Sequence, residues 1–407
     1  ASSHPEHSFK SMVRELHKNG IEVIMQFYFP QEIKQLYMLE VIKFWVKEYH
    51  IDGVRINGFH IPYRLFAEES ALKDTKIWCS YLPQEELEIL DDTINKNFME
   101  DNGNYRQDMR RYLKGDEGLM NQVLHYQRRN PRKYGVVNYL ADYDGFTLYD
   151  CVSYEKKHNE ANGENNHDGN DVNFTWNCGT EGTSRKKSVL ELRQKQIKNA
   201  LTFVFLAQGI PFIFSGDEFA NSRNGNNNCY CQDNESGWIH WKKTQFSEDI
   251  TAYVRFLIQL RKKNHILHMK EELLGMDIDG CGYPDISYHG TKAWIPDLSY
   301  ISRMIGTLLC GQYTPEKQED FFYFAYNMHW EIHELALPKL PKDKVWVKIA
   351  DTSIPFKEQQ SSVCIEDENS VISVKERSIA IYQTRKPAME VSGAKKSGKS
   401  KKLRKDG

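Results

Sequence analysis

Apolar residues recur at helical and strand periods in alternation through the first two thirds of the chain. In FKSMVRELHKNG (Phe9 to Gly20), Met12, Val13 and Leu16 share one helical face, and Gly20 supplies the stop. The run IEVIMQFYF that follows is apolar, β-branched and aromatic, and reads as a strand. KQLYMLEVIKFWVKEYH then reads as a second amphipathic helix and IDGVRI as a second strand. Further short strands are expected near Lys76 to Cys79, Phe98 to Tyr105, Gly135 to Ala141 and Pro211 to Ser215. Helix–strand alternation of this kind signals parallel βα units, so the fold class is α/β. About six strands in series fall two short of the closed eight-stranded barrel that such units build. At this point a barrel lacking its opening strands and a different architecture both stand open.

From about Asp320 the period changes. FFYFAYNM, KVWVKIAD, SVISV and SIAIYQ are short alternating strands between Pro, Lys and Asp turns, the pattern of an antiparallel β-sandwich. The expected division is a parallel βα region over 1–315, which the resemblance given below makes a barrel incomplete at its N-terminus, a C-terminal β-sandwich over 316–385 and a basic, solvated tail over 386–407. The polar, Asn- and Gly-rich stretch from His158 to Ser184 is too long for a plain connection and is expected to be functional. The chain opens on Ala1 within helical sequence, so it reads as a fragment of a longer protein.

Composition narrows the class. With 40% hydrophobic and 27% charged residues, the 407-residue chain has the balance of a globular protein with a sizeable core. A net charge of −2 gives no reason to expect nucleic acid, and no apolar run is long enough to cross a membrane. The eight cysteines include no CxxC pair, so a structural zinc site is not expected and the thiols read as reduced, in a cytoplasm. Aromatic residues at 12%, with 22 Tyr and 8 Trp, are compatible with stacking on sugar rings, although core packing accounts for most of them.

The stretch from Tyr139 to Asn234 then supplies the most specific signal. YDGFTLYDCVSYEKKHNEANGENNHDG, FTWNCGTEG, LRQKQIKNALTFVFLAQGIPFIFSGDEF and NGNNNCYCQDN follow one another within about a hundred residues. Together they resemble the isoamylase and glycogen-debranching branch of glycoside hydrolase family 13, with weaker similarity over nearly the whole chain. The resemblance implies a (β/α)8 TIM barrel, here holding strands three to eight, whose loops at the strand C-termini hold an α-glucan near a branch point. It also implies a preceding N-terminal glucan-binding sandwich, and it implies no cofactor and no metal at the site.

Retaining hydrolysis of a glycosidic bond needs two carboxyl groups about 5 Å apart, one as nucleophile and one as acid–base. The family carries its nucleophile in a run like DGFRFD, where this chain reads DGVRIN. Asp52, Gly53 and Arg55 match, but the nucleophile position is Asn57, a neutral amide. The family's acid sits in a run like IAEPWD. The equivalent expected here is KIWCSY, which puts Cys79 at the acid position, with Glu85 and Glu86 just beyond. The third, transition-state-stabilising carboxylate is retained as Asp144, but Tyr143 stands where the family has His. A family run like DVVYNH reads QFYFPQ, so Gln26, Pro30 and Gln31 replace its Asp, Asn and His. A whole set altered together reads as relaxed catalytic demand.

Substrate contacts implied by the resemblance fall on Arg55, Tyr143, His158, Asn159, Glu160, Trp176, Asp217, Glu218, Asn226 and Asn227. Each has an ordinary structural reading beside it: an ion pair for Arg55, a cap for Asp144, Asp217 and Glu218, a tight turn for the asparagines. Three functions stay open. One is a non-catalytic or weakly active, glucan-binding relative that works on glycogen, starch or maltooligosaccharides, with a catalytic debranching subunit as possible partner. The second is an active α-1,6-glucosidase with an unorthodox site. The third is a barrel that binds no sugar.

Overall fold

The computed structural model describes residues 4–88, 97–359, 364–365 and 371–386, so the basic tail expected over 386–407 lies, apart from Lys386, outside the described residues. Six strands, β1 (Ile24–Phe29), β2 (Gly53–Gly58), β3 (Lys76–Cys79), β4 (Phe98–Asp101), β5 (Gly135–Asn138) and β6 (Ile210–Pro211), form one sheet in chain order. Every neighbouring pair is parallel, with Ile56 opposite Cys79 and Cys79 opposite Glu100. β1 to β5 overlap the runs that predict strands, although β4 and β5 end earlier than expected, and β6 meets the run expected at Pro211 to Ser215 only at Pro211.

Register divides the side chains between two faces. Val54, Ile56, Ile77, Cys79 and Phe98 point outward and pack against Met38, Leu39 and Ile42 of the helix Gln35–Tyr49, together with Phe66 and Leu72. On the inner face Trp78, Met99 and Val137 gather with Phe212. The same inner face carries polar residues toward the C-terminal ends of β1 to β4, which is where the site is built.

The second half of the structure is antiparallel. β7 (Ile286–His289), β8 (Met304–Cys310), β9 (Phe321–Asn327), β10 (His333–Ala336), β11 (Val345–Asp351), β12 (Cys364–Ile365), β13 (Val371–Val374) and β14 (Ser378–Arg385) follow in the chain. Six of them pair in the order β12-β11-β14-β9-β8-β7, and β10 pairs with β13. This corrects the expected boundary at 315/316, because β7 and β8 hydrogen-bond into this sheet and not into the parallel one. The large sheet is buried on both faces. Tyr323, Ala325, Ala380 and Tyr382 meet Leu335, Ile372 and Val374 of the two-stranded ladder. Phe322, Phe324, Ile379 and Ile381 meet helical residues such as Ile197, Leu201 and Leu257.

Those residues lie on two helices, Lys187–Leu206 and Gln245–Lys263, that join the halves. Polar groups buried on the first of them are spent on the C-terminal half. Lys198 Nζ donates to Ile354 O at 2.7 Å, Asn199 Nδ2 donates to Arg377 O at 2.8 Å, and Thr352 Oγ1 donates to Asn199 Oδ1 at 2.6 Å. The second helix starts on a reciprocal cap between Thr244 and Ser247. Among the described residues, no helix is long and apolar enough to cross a membrane, and seven cysteines are free thiols.

Because β1 and β6 do not pair with each other, each leaves an edge among the described residues. Ile24 is 37% exposed and Tyr28 64% exposed on β1, and Ile210 is 37% exposed on β6, so the edges are apolar. Apolar open edges template association. The 407-residue chain should therefore show concentration-dependent association by light scattering, and Tyr28→Lys should reduce it; a wild-type monomer at every concentration would contradict this.

Candidate active site at the strand ends

Arg55 sits on the inner face of β2, and its Nη2 donates to Asp101 Oδ2 and to Asp142 Oδ2, both at 3.0 Å. Asp101 follows from the end of β4, and Asp142 lies just past β5. Trp78 of β3 donates from Nε1 to Asp101 Oδ1 at 2.8 Å, and the guanidinium lies 4.3 Å from the Trp78 ring. Asp142 Oδ1 accepts from the Tyr143 N–H at 2.7 Å. Burial works against the Arg55 charge, but the hydrogen bond and field of Asp142, with Asp101 behind it, outweigh that and raise its pKa above the ordinary value. One cation thus holds two buried acids, and neither acid is left free.

One position nearer the strand ends, Asn57 Oδ1 accepts from Ser80 Oγ at 2.7 Å, and Asn57 Nδ2 reaches the Tyr143 hydroxyl at 3.5 Å. Gln26 Nε2 donates to the same hydroxyl at 2.9 Å. The Tyr143 ring stands 5.2 Å from the Arg55 guanidinium. Gln26, Asn57, Ser80 and Tyr143 therefore form a neutral, mutually hydrogen-bonded layer over the Arg55 cluster. Asp144, beside them in the chain, is exposed and makes no side-chain hydrogen bond among the described residues.

Cys79 is not in this layer, which corrects its expected place at the acid position. Its side chain is on the outer face, 1% exposed, in the apolar cluster with Ile56 and Leu72. Burial pushes its thiol pKa well up, so it is a neutral packing group. The residue that faces Asn57 is Ser80. Reading the strand pairing with period two finds it: if Arg55 and Asn57 point inward on β2, the inward residues beside them on β3 are Trp78 and Ser80. Asp101 and Asp142 were missed for another reason, since no local motif marks an acid whose role is to hold a cation from another strand.

The well-matched loops do a different job from the sugar contact expected of them. Asn159 Nδ2 donates to Asn227 Oδ1 at 2.9 Å, and the Asn227 N–H donates back to Asn159 Oδ1 at 3.0 Å. Asn227 Nδ2 also donates to Asn170 O at 2.8 Å. Asn226 Nδ2 donates to Asn162 Oδ1 at 2.8 Å, and Asn162 and Asn228 both donate to Asp168 Oδ2. Asn159, Asn226 and Asn227 are buried, and their amides are spent on one another. Gly169 must be glycine in this interlock: its φ is +72°, and a Cβ there would collide with Asn227 and Asn159.

The other expected contacts are dispersed. His158 is exposed and meets Glu181 at 3.4 Å, while Glu160 is exposed on a turn of 3-10 helix. Trp176 has the Arg377 guanidinium 4.4 Å from its ring, so that face is covered by the C-terminal half. Asp217 is fully buried and accepts from the Leu148 N–H at 2.8 Å, and Glu218 accepts from the Gly216 N–H at 2.8 Å. Burial raises the Asp217 pKa from 3.8 to about 7 and that of Asp150, which accepts from Ser222 and the Arg223 N–H, to about 6.

Comparison with known proteins bears on this arrangement. No family model matches the chain. It is 28% identical to isoamylase 3, chloroplastic, of rice over 418 residues, covering 85% of this chain and 51% of that protein. It is 29% identical to the glycogen operon protein GlgX homolog of Mycobacterium tuberculosis over 367 residues, 82% of this chain and 51% of that one. Over 244 residues, 54% of this chain, it is 34% identical to the glycogen debranching enzyme of an Enterobacter species, 36% of which is covered. In sequence the chain is therefore similar to isoamylases and glycogen debranching enzymes.

Solved structures agree on the fold. The pullulanase SAP of Group B Streptococcus superposes with a TM-score of 0.64 at 14% identity, over 92% of this chain and 57% of that one. Type I pullulanase of Bacillus subtilis, solved with maltose, gives 0.63 at 16% identity, over 92% and 55%. The chain spans about half the length of the rice and Mycobacterium relatives, and about a third of the Enterobacter protein.

Two measurements test the site's electrostatics. Replacing Arg55 by Met leaves two neighbouring carboxylates buried without their cation, and should cost ~3–5 kcal/mol by urea unfolding; a loss under ~1 kcal/mol would mean that the cluster is not mutually dependent. The second concerns Asp217. Its folded-state pKa is raised, so the fold holds a proton that the unfolded chain has lost between about pH 4 and 7, and stability falls as pH rises through that window. Asp217→Asn keeps the acceptor for the Leu148 N–H and removes the charge. It should be more stable than wild type at pH 8, by ~4 kcal/mol at most, with the advantage gone near pH 4. An advantage independent of pH would contradict the burial argument.

Proposed function

We propose that this chain is the catalytic-region portion of a debranching-type protein that binds branched α-glucan without hydrolysing it. The single observation that carries the reading is the Asn57–Ser80 hydrogen bond at 2.7 Å. The resemblance puts the nucleophile at Asn57, and the inward residue beside it on the next strand is Ser80, so the pair that should be two carboxyl groups is an amide and a hydroxyl. Neither forms a glycosyl-enzyme or supplies a tuned acid. The two acids close by, Asp101 and Asp142, are tied to Arg55 and cannot attack without breaking a buried ion cluster. On this reading the six parallel strands are the third to eighth of a (β/α)8 barrel. The relatives' names speak of glycogen and of isoamylase, which makes glycogen- or starch-like polymers the glucans to test, and delivery of such a chain to a catalytic debranching subunit the role to examine.

The exposed carboxylate of Asp144 favours a second reading, an active α-1,6-glucosidase that uses this acid in an unorthodox way. A reducing-end assay on glycogen and amylopectin, run beside affinity electrophoresis in the same polymers, separates the readings. Wild type should release no linear chains, since loss of both members of a catalytic pair removes on the order of 10⁶-fold in rate, yet it should be retarded by glucan. Asn57→Asp alone should restore nothing measurable, whereas Asn57→Asp with Ser80→Glu should give detectable turnover. Asn57→Asp with Cys79→Glu should give none and should destabilise the fold, because that carboxyl would be buried among Ile56 and Leu72. Turnover by wild type that Asp144→Asn abolishes would overturn the proposal, and absence of both turnover and retardation would favour a barrel that binds no sugar.

A further inference from the structure

Away from the strand-end site, the turn between β9 and β10 reads His329-Trp330-Glu331-Ile332-His333. One ligand atom each from His329, Glu331 and His333 comes together within 4.8 Å of the other two. A tetrahedral zinc site, with metal–ligand distances of about 2.0–2.2 Å, needs ligand atoms ~3.4 Å apart, so side-chain rotation of about an ångström closes the set. Two imidazoles and a carboxylate suit a borderline transition metal such as Zn²⁺ and not the all-oxygen shells of Ca²⁺ or Mg²⁺.

Two further observations point to a ligand here. His333 Nε2 is buried and has no hydrogen-bond partner, a state that buried ring nitrogens rarely keep. The turn is also held rigid without help from the three side chains' free atoms. Asn327 Nδ2 donates to Glu331 O at 2.9 Å and to Val374 O and Lys375 O at 3.1 Å, and Asn327 Oδ1 accepts from the His329 N–H at 2.9 Å. The Arg377 N–H donates to His329 O at 2.9 Å. Trp330 stacks on His329 with ring centroids 4.2 Å apart, and Arg303 lies 4.8 Å from the Trp330 ring. Such clamping removes much of the ordering cost of binding. The Glu331 N–H donates to His329 Nδ1 at 3.2 Å, which orients that imidazole in the metal-free turn; a neutral imidazole has one ring lone pair, so ligation by His329 replaces this hydrogen bond.

We propose that His329, Glu331 and His333 bind one Zn²⁺-class divalent ion, with a fourth position left to water, and that the ion braces the β9–β10 turn. The site rests on nothing in the glucan reading. Its neighbours Arg303 and Arg377 oppose added positive charge, and Glu331 is the group that offsets them. Arg377 also packs on Trp176, so the braced turn adjoins the contact between the two halves of the fold.

The test titrates ZnCl2 into chelator-stripped full chain by calorimetry, with CaCl2 as control and the melting temperature followed in parallel. Wild type should bind Zn²⁺ at a stoichiometry one higher than His329→Gln/His333→Gln, ignore Ca²⁺, and gain ~2–5 °C at saturation. Glu331→Gln, an exposed substitution that leaves the fold intact, should weaken this one site about tenfold or more. Trp330 fluorescence should change with the first equivalent in wild type and not in the double variant. Equal stoichiometry in wild type and double variant, or no Zn²⁺ binding by wild type, would overturn the proposal; so would undiminished affinity in Glu331→Gln.

Discussion

The strand ends depend on one guanidinium. Arg55 lies on a strand interior to the parallel sheet, and its guanidinium pairs with both Asp101 and Asp142 at 3.0 Å. Trp78 serves the same cluster twice, as a face for the cation and a donor to the acid. Such an ion triad gains little net stability over an apolar core of similar volume, because desolvation offsets attraction. What it does is fix geometry. β2, β3, β4 and the segment after β5 are tied at one level through Arg55, Trp78, Asp101 and Asp142, beneath the layer of Gln26, Asn57, Ser80 and Tyr143.

That upper layer has the opposite character. Gln26, Asn57, Ser80 and Tyr143 carry no charge, and each satisfies another. A site that stabilises an oxocarbenium-like transition state needs unspent negative charge facing the sugar. Here Asp101 and Asp142 lie one level down, paired with Arg55, and Asp144 is the exposed carboxylate beside the layer. The neutral amides and hydroxyls of this layer are groups that donate and accept hydrogen bonds.

Much of this was legible in the residues, and the failures share a cause. The parallel strands show as short apolar runs between helical periods, and DGVRIN announces Asn57 directly. The boundary near 315 was misplaced because it was read from the change of period near Asp320, whereas β7 and β8, which pair into the antiparallel sheet, precede that change. The acid position falls on Cys79 in the sequence, one residue short of the inward Ser80, because the match to a short motif fixes position only to within a residue, and one residue turns a strand side chain to the opposite face. Asp101 and Asp142 owe their role to a partner 46 and 87 positions away, a relation that no local pattern encodes.

The interlocked asparagines have a consequence for how the molecule can vary. Amides of Asn159 and Asn227 serve as donor and acceptor to each other, Asn162 does the same with Asn226, and Gly169 leaves the space in which the first pair meets. A change on one loop strands a partner on the other, while a second change there finds the damage already done. The two loops, some sixty positions apart in the chain, are therefore a single unit of inheritance whose substitutions combine sub-additively, so that they are retained together or lost together.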